Sequence, residues 1–218
     1  MTANELGEDV GRDLTDQRRD DMLRAAAELI AERGFSETRI ADVARRVNAS
    51  PALVIYYFGT KDQLLTAALR HSEDAFYEAC ARHLEKASTA RDQLEILVRL
   101  TFTQDSSDLP GAWGLWFDLW AQAFRHPEVK KDRADLDAQW RDLIARIVQD
   151  GIDHGEIQKV DVHEFAVMWS SLLDGLVIQV SLDDPVVTPA LARRIALELA
   201  DKELGLSGGR PRRSSKKS

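Results

Sequence analysis

Apolar residues recur along most of this chain at intervals of three, four and seven, the period of a helix with one buried face. No stretch alternates with the period of two that marks a strand. The first stripe is Met22, Ala25, Ala26, Leu29 and Ile30, which predicts a helix from about Arg18 to Arg33. Gly34 stands where a C-terminal cap belongs, and Phe35 is placed to plug a small core. Ile40, Val43, Ala44 and Val47 form a second, shorter stripe, with Thr38 as a candidate cap before it. Asn48-Ala49-Ser50 then supplies turn chemistry. Asn48 tolerates a left-handed backbone, Ser50 caps a third helix, and Pro51 sits where a missing N–H costs nothing.

That third helix is about two turns long, too short to persist alone in water. Val54 and Phe58 turn it inward, leaving Ala52, Leu53, Ile55, Tyr56 and Tyr57 partly or wholly outward. Two short helices joined by a tight turn, the second with an outward apolar and aromatic flank, suit insertion into a DNA major groove.

Gly59-Thr60 breaks the chain, and Lys61 begins a longer helix to about His83. From about Ala90 to Leu206 the pattern is again helical. One helix opens at Asp92-Gln93-Leu94 and is broken by residues 105–110; the next runs from Ala112 to Phe124 and is closed by His126-Pro127. Glu128 to Asp153 is amphipathic, with Leu136, Trp140, Leu143, Ile144 and Ile147 on its stripe. Val162 to Leu182 is apolar on most of its circumference, as in a helix buried on two sides, and Thr188-Pro189 restarts the chain in a last helix to about Leu204. Residues 1–15 are polar and acidic and the end of the chain is basic and low in complexity, so both are expected to be disordered. The expected organisation is therefore all-α. It comprises a disordered segment (1–15), a three-helix helix-turn-helix DNA-binding head (16–65), a larger helical ligand-binding and dimerisation domain (66–206), and a disordered basic tail (207–218).

The stretch SPALVIYYFGTKDQLL resembles the recognition helix and following cap of the TetR family of one-component transcriptional repressors. MLRAAAELIAERGFSETRIADVARRVNAS is similar to that family's first two helices, so the likeness covers roughly Arg18 to Leu69. It departs from the family pattern at Asn48, where many members have Gly, and at Ala52 and Ile55, where Gly and Tyr are frequent. The resemblance implies a homodimer that binds a palindromic DNA operator and is released by a small-molecule effector. It also implies a phosphate contact for Lys61, whose alternative is a solvated surface charge. Three later segments, WGLWFDLWAQAFRHP, DHGEIQKVDV and LLDGLVIQ, are similar to the ligand-sensing domain of the BetI-like branch of that family.

For the DNA interface, Ser50, Leu53, Ile55, Tyr56 and Tyr57 are expected to meet bases or backbone, and Thr38, Arg39, Tyr57 and Lys61 to anchor phosphates. Ile55 donates no hydrogen bond, so it would read by apolar contact, such as with a thymine methyl. Arg210, Arg212, Arg213, Lys216 and Lys217 either add non-specific attraction or form a functionless solvated tail.

For ligand binding, Trp113, Trp116, Phe117, Trp120 and Phe124 share one face of a helix, with Trp140, Met168 and Trp169 as candidates to face them. Such a stripe is either bundle core or a pocket wall. Three Trp on one short helix are hard to pack without voids, and their faces suit an organic cation whose counter-charge is Asp118 or Asp174. The helix Val162–Leu182 and the last helix are expected to form the dimer interface, Gly175 allowing close approach.

The net charge of −8, on 29 basic and 37 acidic residues, argues against DNA binding only until it is divided along the chain. Residues 1–17 carry −4, 18–70 carry +2 and 205–218 carry +5, whereas 71–204, the part that need not approach phosphate, carry −11. The single cysteine, Cys80, suits a reducing compartment, and no apolar run is long enough for a membrane span or the core of a signal peptide. A cytoplasmic, nucleoid-associated protein is expected. The five His are scattered, there is no phosphate loop or nucleophile elbow, and neither enzyme activity, metal nor cofactor is expected. Two rivals are a helical interaction module whose head binds a protein partner, and a helical enzyme without a recognised motif.

Overall fold

The computed structural model describes residues 3–102, 112–125 and 127–206, and among these every regular element is a helix. In chain order they are α1 (Ala3–Arg33), α2 (Ile40–Arg46), α3 (Pro51–Phe58), α4 (Lys61–Leu84), α5 (Ala90–Thr101), α6 (Ala112–Ala123), α7 (Pro127–Asp153), α8 (Val162–Ser181) and α9 (Pro189–Leu204). The expected break at 105–110, His126 and the tail cations Arg210, Arg212, Arg213, Lys216 and Lys217 lie outside the described residues. α1 is longer than its apolar stripe. It begins at Ala3, so residues 3–15, expected to be disordered, are helical. That segment has no proline, and once a helix exists, extending it past Gly7 and Gly11 costs only about 1 kcal/mol for each glycine.

The chain forms two compact units, one of residues 1–79 with 105–136 and one of residues 80–104 with 137–218. In this division α6 goes with the head, and a Cβ added at Gly114 would lie in ordinary van der Waals contact, 3.5 Å from the Ala31 Cα of α1. Two apolar clusters fill this first unit. Met22, Ala26, Leu29, Val43, Val54, Phe58 and Ala68 hold the three-helix head. Ile30, Phe35, Leu65, Leu69, Leu115, Trp116 and Leu119 join α1 and α4 to α6.

In the second unit, α9 packs against α5 and α8. Ala192, Ala196, Ala200 and Leu204, four residues apart and fully buried, line the packed face of α9, whose small side chains let α8 come close. Arg91 of α5 pairs with Asp201 of α9, and the Glu156 carboxylate accepts from the Ala90 N–H at 2.6 Å. Among the described residues no helix is long and apolar enough to cross a membrane.

Candidate nucleic-acid interface

The turn between α2 and α3 is built from its own sequence. Asn48 takes φ +58°, the left-handed conformation. Its N–H bonds to the Arg45 carbonyl and the next N–H, of Ala49, reaches back to Ala44 at 2.8 Å. This pair of bonds ends α2 in a Schellman motif with Asn in place of the usual Gly. Ser50 then caps α3, its hydroxyl accepting from the Leu53 N–H at 3.2 Å, and Pro51 occupies the first helical position.

α3 is anchored by Val54 and Phe58, both buried, while Ile55 is 50% exposed and Tyr56 82% exposed. Tyr57 and Leu53 are half-buried against the head core, and Tyr56 meets Tyr57 edge-on at 5.6 Å between ring centres. The outward flank is therefore Ala52, Ile55 and Tyr56, with Leu53 and Tyr57 at its margins.

Two expected phosphate ligands are placed differently from expectation. Thr38 does not cap α2; that position is held by Arg39, whose backbone N–H is met by the Asp42 carboxylate at 3.3 Å. Thr38 is buried, and its hydroxyl donates to the carbonyls of Leu29 (3.2 Å) and Gly34 (2.9 Å), fixing the start of α2 against α1. A hydroxyl held inside by two carbonyls is no phosphate ligand. The first N–H groups of α2 and the exposed Arg39 remain for that role. Lys61, at the start of α4, has its ammonium 3.1 Å from the Ser36 carbonyl and 4.3 Å above the Phe35 ring. Arg46 ties α2 to α1 through Glu28 and Glu32.

α3 ends at Gly59 (φ +75°), where an added Cβ would lie 2.3 Å from the Gln63 side-chain oxygen. Thr60 and Gln63 cap α4 reciprocally, each side chain accepting from the other's backbone N–H.

Of the expected ligand residues, Trp113, Trp116, Phe117 and Trp120 do come together, with neighbouring ring centres 5.8–6.5 Å apart. Phe124 is 90% exposed beyond the end of α6 and takes no part in the cluster's burial. Asp118 is spent on structure, accepting from the Phe35 N–H at 2.8 Å. The buried carboxylate beside the cluster is instead Glu73 of α4, 7% exposed, which accepts from the Trp116 indole N–H at 2.7 Å. Sequence reasoning missed Glu73, although its position eight and four residues after Leu65 and Leu69 put a charge on the buried stripe of α4. The Trp120 indole N–H is buried with no acceptor among the described residues.

Met168, Trp169, Asp174 and Trp140 belong to the second unit. Trp169 has a structural part: it is fully buried, stacked on Phe165, and donates to the Ala196 carbonyl at 2.9 Å, so it locks α8 to α9. Met168, one residue earlier and about 100° round the helix, is 39% exposed, and Asp174 is half-buried. An open pocket of about 230 Å³ lies at the start of α5, where Glu156 already satisfies the helix end. No group of three His, Cys, Asp or Glu among the described residues is arranged to hold a metal.

A capped two-turn helix with its aromatic flank in solvent, borne on a head that packs directly against an aromatic helix, defines a helix-turn-helix transcriptional regulator. Residues 22–68 match the profile of bacterial regulatory proteins of the tetR family, and residues 90–205 match that of the C-terminal region of BetI-type transcriptional repressors. The chain belongs to the TetR family of transcriptional regulators. It is 29% identical over 189 residues to the HTH-type transcriptional regulator BetI of Stenotrophomonas maltophilia, covering 86% of this chain and 93% of that one. Among solved structures it is similar to a transcriptional regulator from Saccharomonospora viridis in complex with choline. That match has TM-score 0.75 and 29% identity, over 86% of this chain and 96% of the other. A TetR-family regulator from a Rhodococcus species matches with TM-score 0.77 and 28% identity, over 87% and 99% of the two chains.

Proposed function

We propose that this chain is a homodimeric repressor that binds a palindromic operator and is released from it by a small organic cation. The observation that carries the DNA part is the outward flank of α3: Ile55 and Tyr56 lie in solvent on a helix already anchored and capped by other residues. A two-turn helix offers few contacts, so two heads reading half-sites about one helical turn apart, or a multiple of it, are required for useful affinity.

The dimer reading rests on α8. Val167, Ser171, Gly175, Ile178 and Leu182 are spaced by three or four, and Val167, Ile178 and Leu182 are exposed apolar side chains. A Cβ at Gly175 would meet nothing within 4 Å, so this face of α8 has space for the backbone of a second copy. Met168 flanks the same stripe and is assigned here rather than to the ligand.

The effector reading rests on three observations. The rings of Trp113, Trp116, Phe117 and Trp120 cluster on α6, the Glu73 carboxylate is buried against them, and the Trp120 N–H awaits an acceptor. Aromatic faces with a carboxylate attract a cationic head, and a free indole N–H suits an oxygen on the same molecule. Choline, held by the relative from Saccharomonospora viridis, has both features and is the first candidate. Such a ligand would act by favouring one tilt of α4, and only as strongly as it prefers one state.

The test is a mobility-shift titration of the full chain on DNA from upstream of its own gene, with and without choline. A two-step or dimer-stoichiometric shift, weakened by choline but not by a neutral isostere, supports the whole reading. A shift indifferent to choline removes the cation, and no shift at low salt removes the DNA function.

A further inference from the structure

Lys61 is expected to anchor a phosphate, yet its ammonium already has two partners within the head. It lies 4.3 Å above the Phe35 ring and 3.1 Å from the Ser36 carbonyl, and the side chain is half-buried. The ring does not drift, because Phe35 is packed among Ile30, Leu65, Leu69 and Leu115, and its own N–H is held at 2.8 Å by Asp118 of α6. With one N–H on the Ser36 carbonyl and its charge over the ring, the ammonium keeps two further N–H donors, and a pull towards a phosphate oxygen beside α3 competes with both contacts.

We propose that Phe35 and Ser36 form a storage site for the Lys61 ammonium in the DNA-free protein, and that operator binding empties it. Phe35 is then a positioning residue for DNA binding although it touches no DNA. Asp118 ties the storage site to the helix bearing the aromatic cluster. The inference rests on the reading of Lys61 as a phosphate anchor and adds to it a competing partner inside the head. Weakening the storage site raises the energy of the free state alone, so DNA binding tightens, whereas removing the lysine weakens it. Screening also differs between the two. Only a phosphate contact releases a condensed counterion, so only removal of the lysine alters the salt dependence.

The experiment installs mono-, di- and trifluorophenylalanine at position 35 of the full chain, which drains charge from the ring face while keeping its shape, and compares Lys61→Ala. The DNA is a duplex selected by the wild-type chain from a random pool. Thermal unfolding confirms that each variant is folded. Affinity should rise stepwise with fluorination, by about two- to fivefold for each head and so about five- to thirtyfold for the dimer at the end of the series, a range set by the strength of exposed cation–π contacts. The slope of log affinity against log salt should not change. Lys61→Ala should weaken binding and flatten that slope by about 0.9 for each phosphate it leaves without a cation. In addition, the Lys61 ε-methylene protons should resonate upfield in the free protein through the Phe35 ring current and move back when operator is added.

A flat affinity series, or ε-protons still upfield on DNA, overturns the storage site while leaving the phosphate anchor standing if Lys61→Ala flattens the salt slope. If Lys61→Ala alters neither affinity nor slope, the anchor fails, and the storage proposal fails with it.

Discussion

Replacing Tyr56 by alanine separates what α3 does for the fold from what it does for DNA. Tyr56 is 82% exposed and its main contact is the edge of Tyr57. A tyrosine buries about 200 Å² when fully enclosed, so roughly a fifth of that, about 40 Å², is at stake here. At about 25 cal/mol per Å² the loss is about 1 kcal/mol, and the better helix propensity of alanine returns about half of it. The melting temperature of a chain this size should therefore fall by no more than about 2 °C. The DNA cost is on another scale. A side chain that reads a base contributes about 1–3 kcal/mol of discrimination, and the dimer loses two. The expected loss is about 2–6 kcal/mol, or about 30-fold to 10⁴-fold in operator affinity. Paired thermal unfolding and mobility-shift titrations read both quantities. Tyr56→Phe in the same experiment isolates the hydroxyl. A large fall in melting temperature would mean that the residue serves the fold, and unchanged affinity in a stable variant would refute its place at the interface.

Three further outcomes follow from particular geometries. Gly59→Ala, at φ +75° with its new methyl 2.3 Å from the Gln63 oxygen, should cost about 1–3 kcal/mol and loosen the cap of α4, read as a lower melting temperature with faster amide exchange at Thr60 and Gln63. Among the described residues outside its own turn of helix, the methyl of Gly175→Ala meets nothing within 4 Å, so it should stabilise α8 by up to about 1 kcal/mol in a monomer yet weaken the dimer. Sedimentation showing an equally tight or tighter dimer would remove this face from the interface. Asp184 has its carboxyl pKa held below the usual 3.8 because the ionised form accepts from the N–H groups of Val187 and Val186. A depressed folded pKa means the turn is supported above pH 3.8 and released as pH falls through the lower value, which amide exchange at Val186 and Val187 would follow.

What could be read from the sequence was local. The α2–α3 turn was legible because each of its parts is encoded within a few residues: Asn48 for the left-handed position, Ser50 for the cap, Pro51 for the first turn. Helix periods and the inward or outward sense of Val54, Phe58, Ile55 and Tyr56 follow from the same short-range rules. Three side chains whose partners are distant in sequence could not be read this way. Asp118 looked like a ligand's counter-charge, but its partner is an N–H 83 residues earlier. Thr38 has the chemistry of a cap and of a tertiary strut alike, and only the position of the Leu29 carbonyl decides between them. Trp169 shares its residue type with the α6 cluster but not its surroundings, since the Ala196 carbonyl of α9 claims its indole. The early start of α1 has a different cause: an acidic, glycine-bearing composition lowers helix propensity without forbidding helix.

The central claim is that two copies of α3 enter the major groove of one DNA duplex. Its most direct measurement is a hydroxyl-radical footprint of the full-length chain on the DNA upstream of its own gene. Two protected patches related by a dyad should be seen, their centres about 10 base pairs or a multiple apart. They should vanish together in Tyr56→Ala. Protection confined to a single patch, uniform protection without sequence preference, or a symmetric footprint that survives replacement of both Tyr56 and Ile55 would contradict the account.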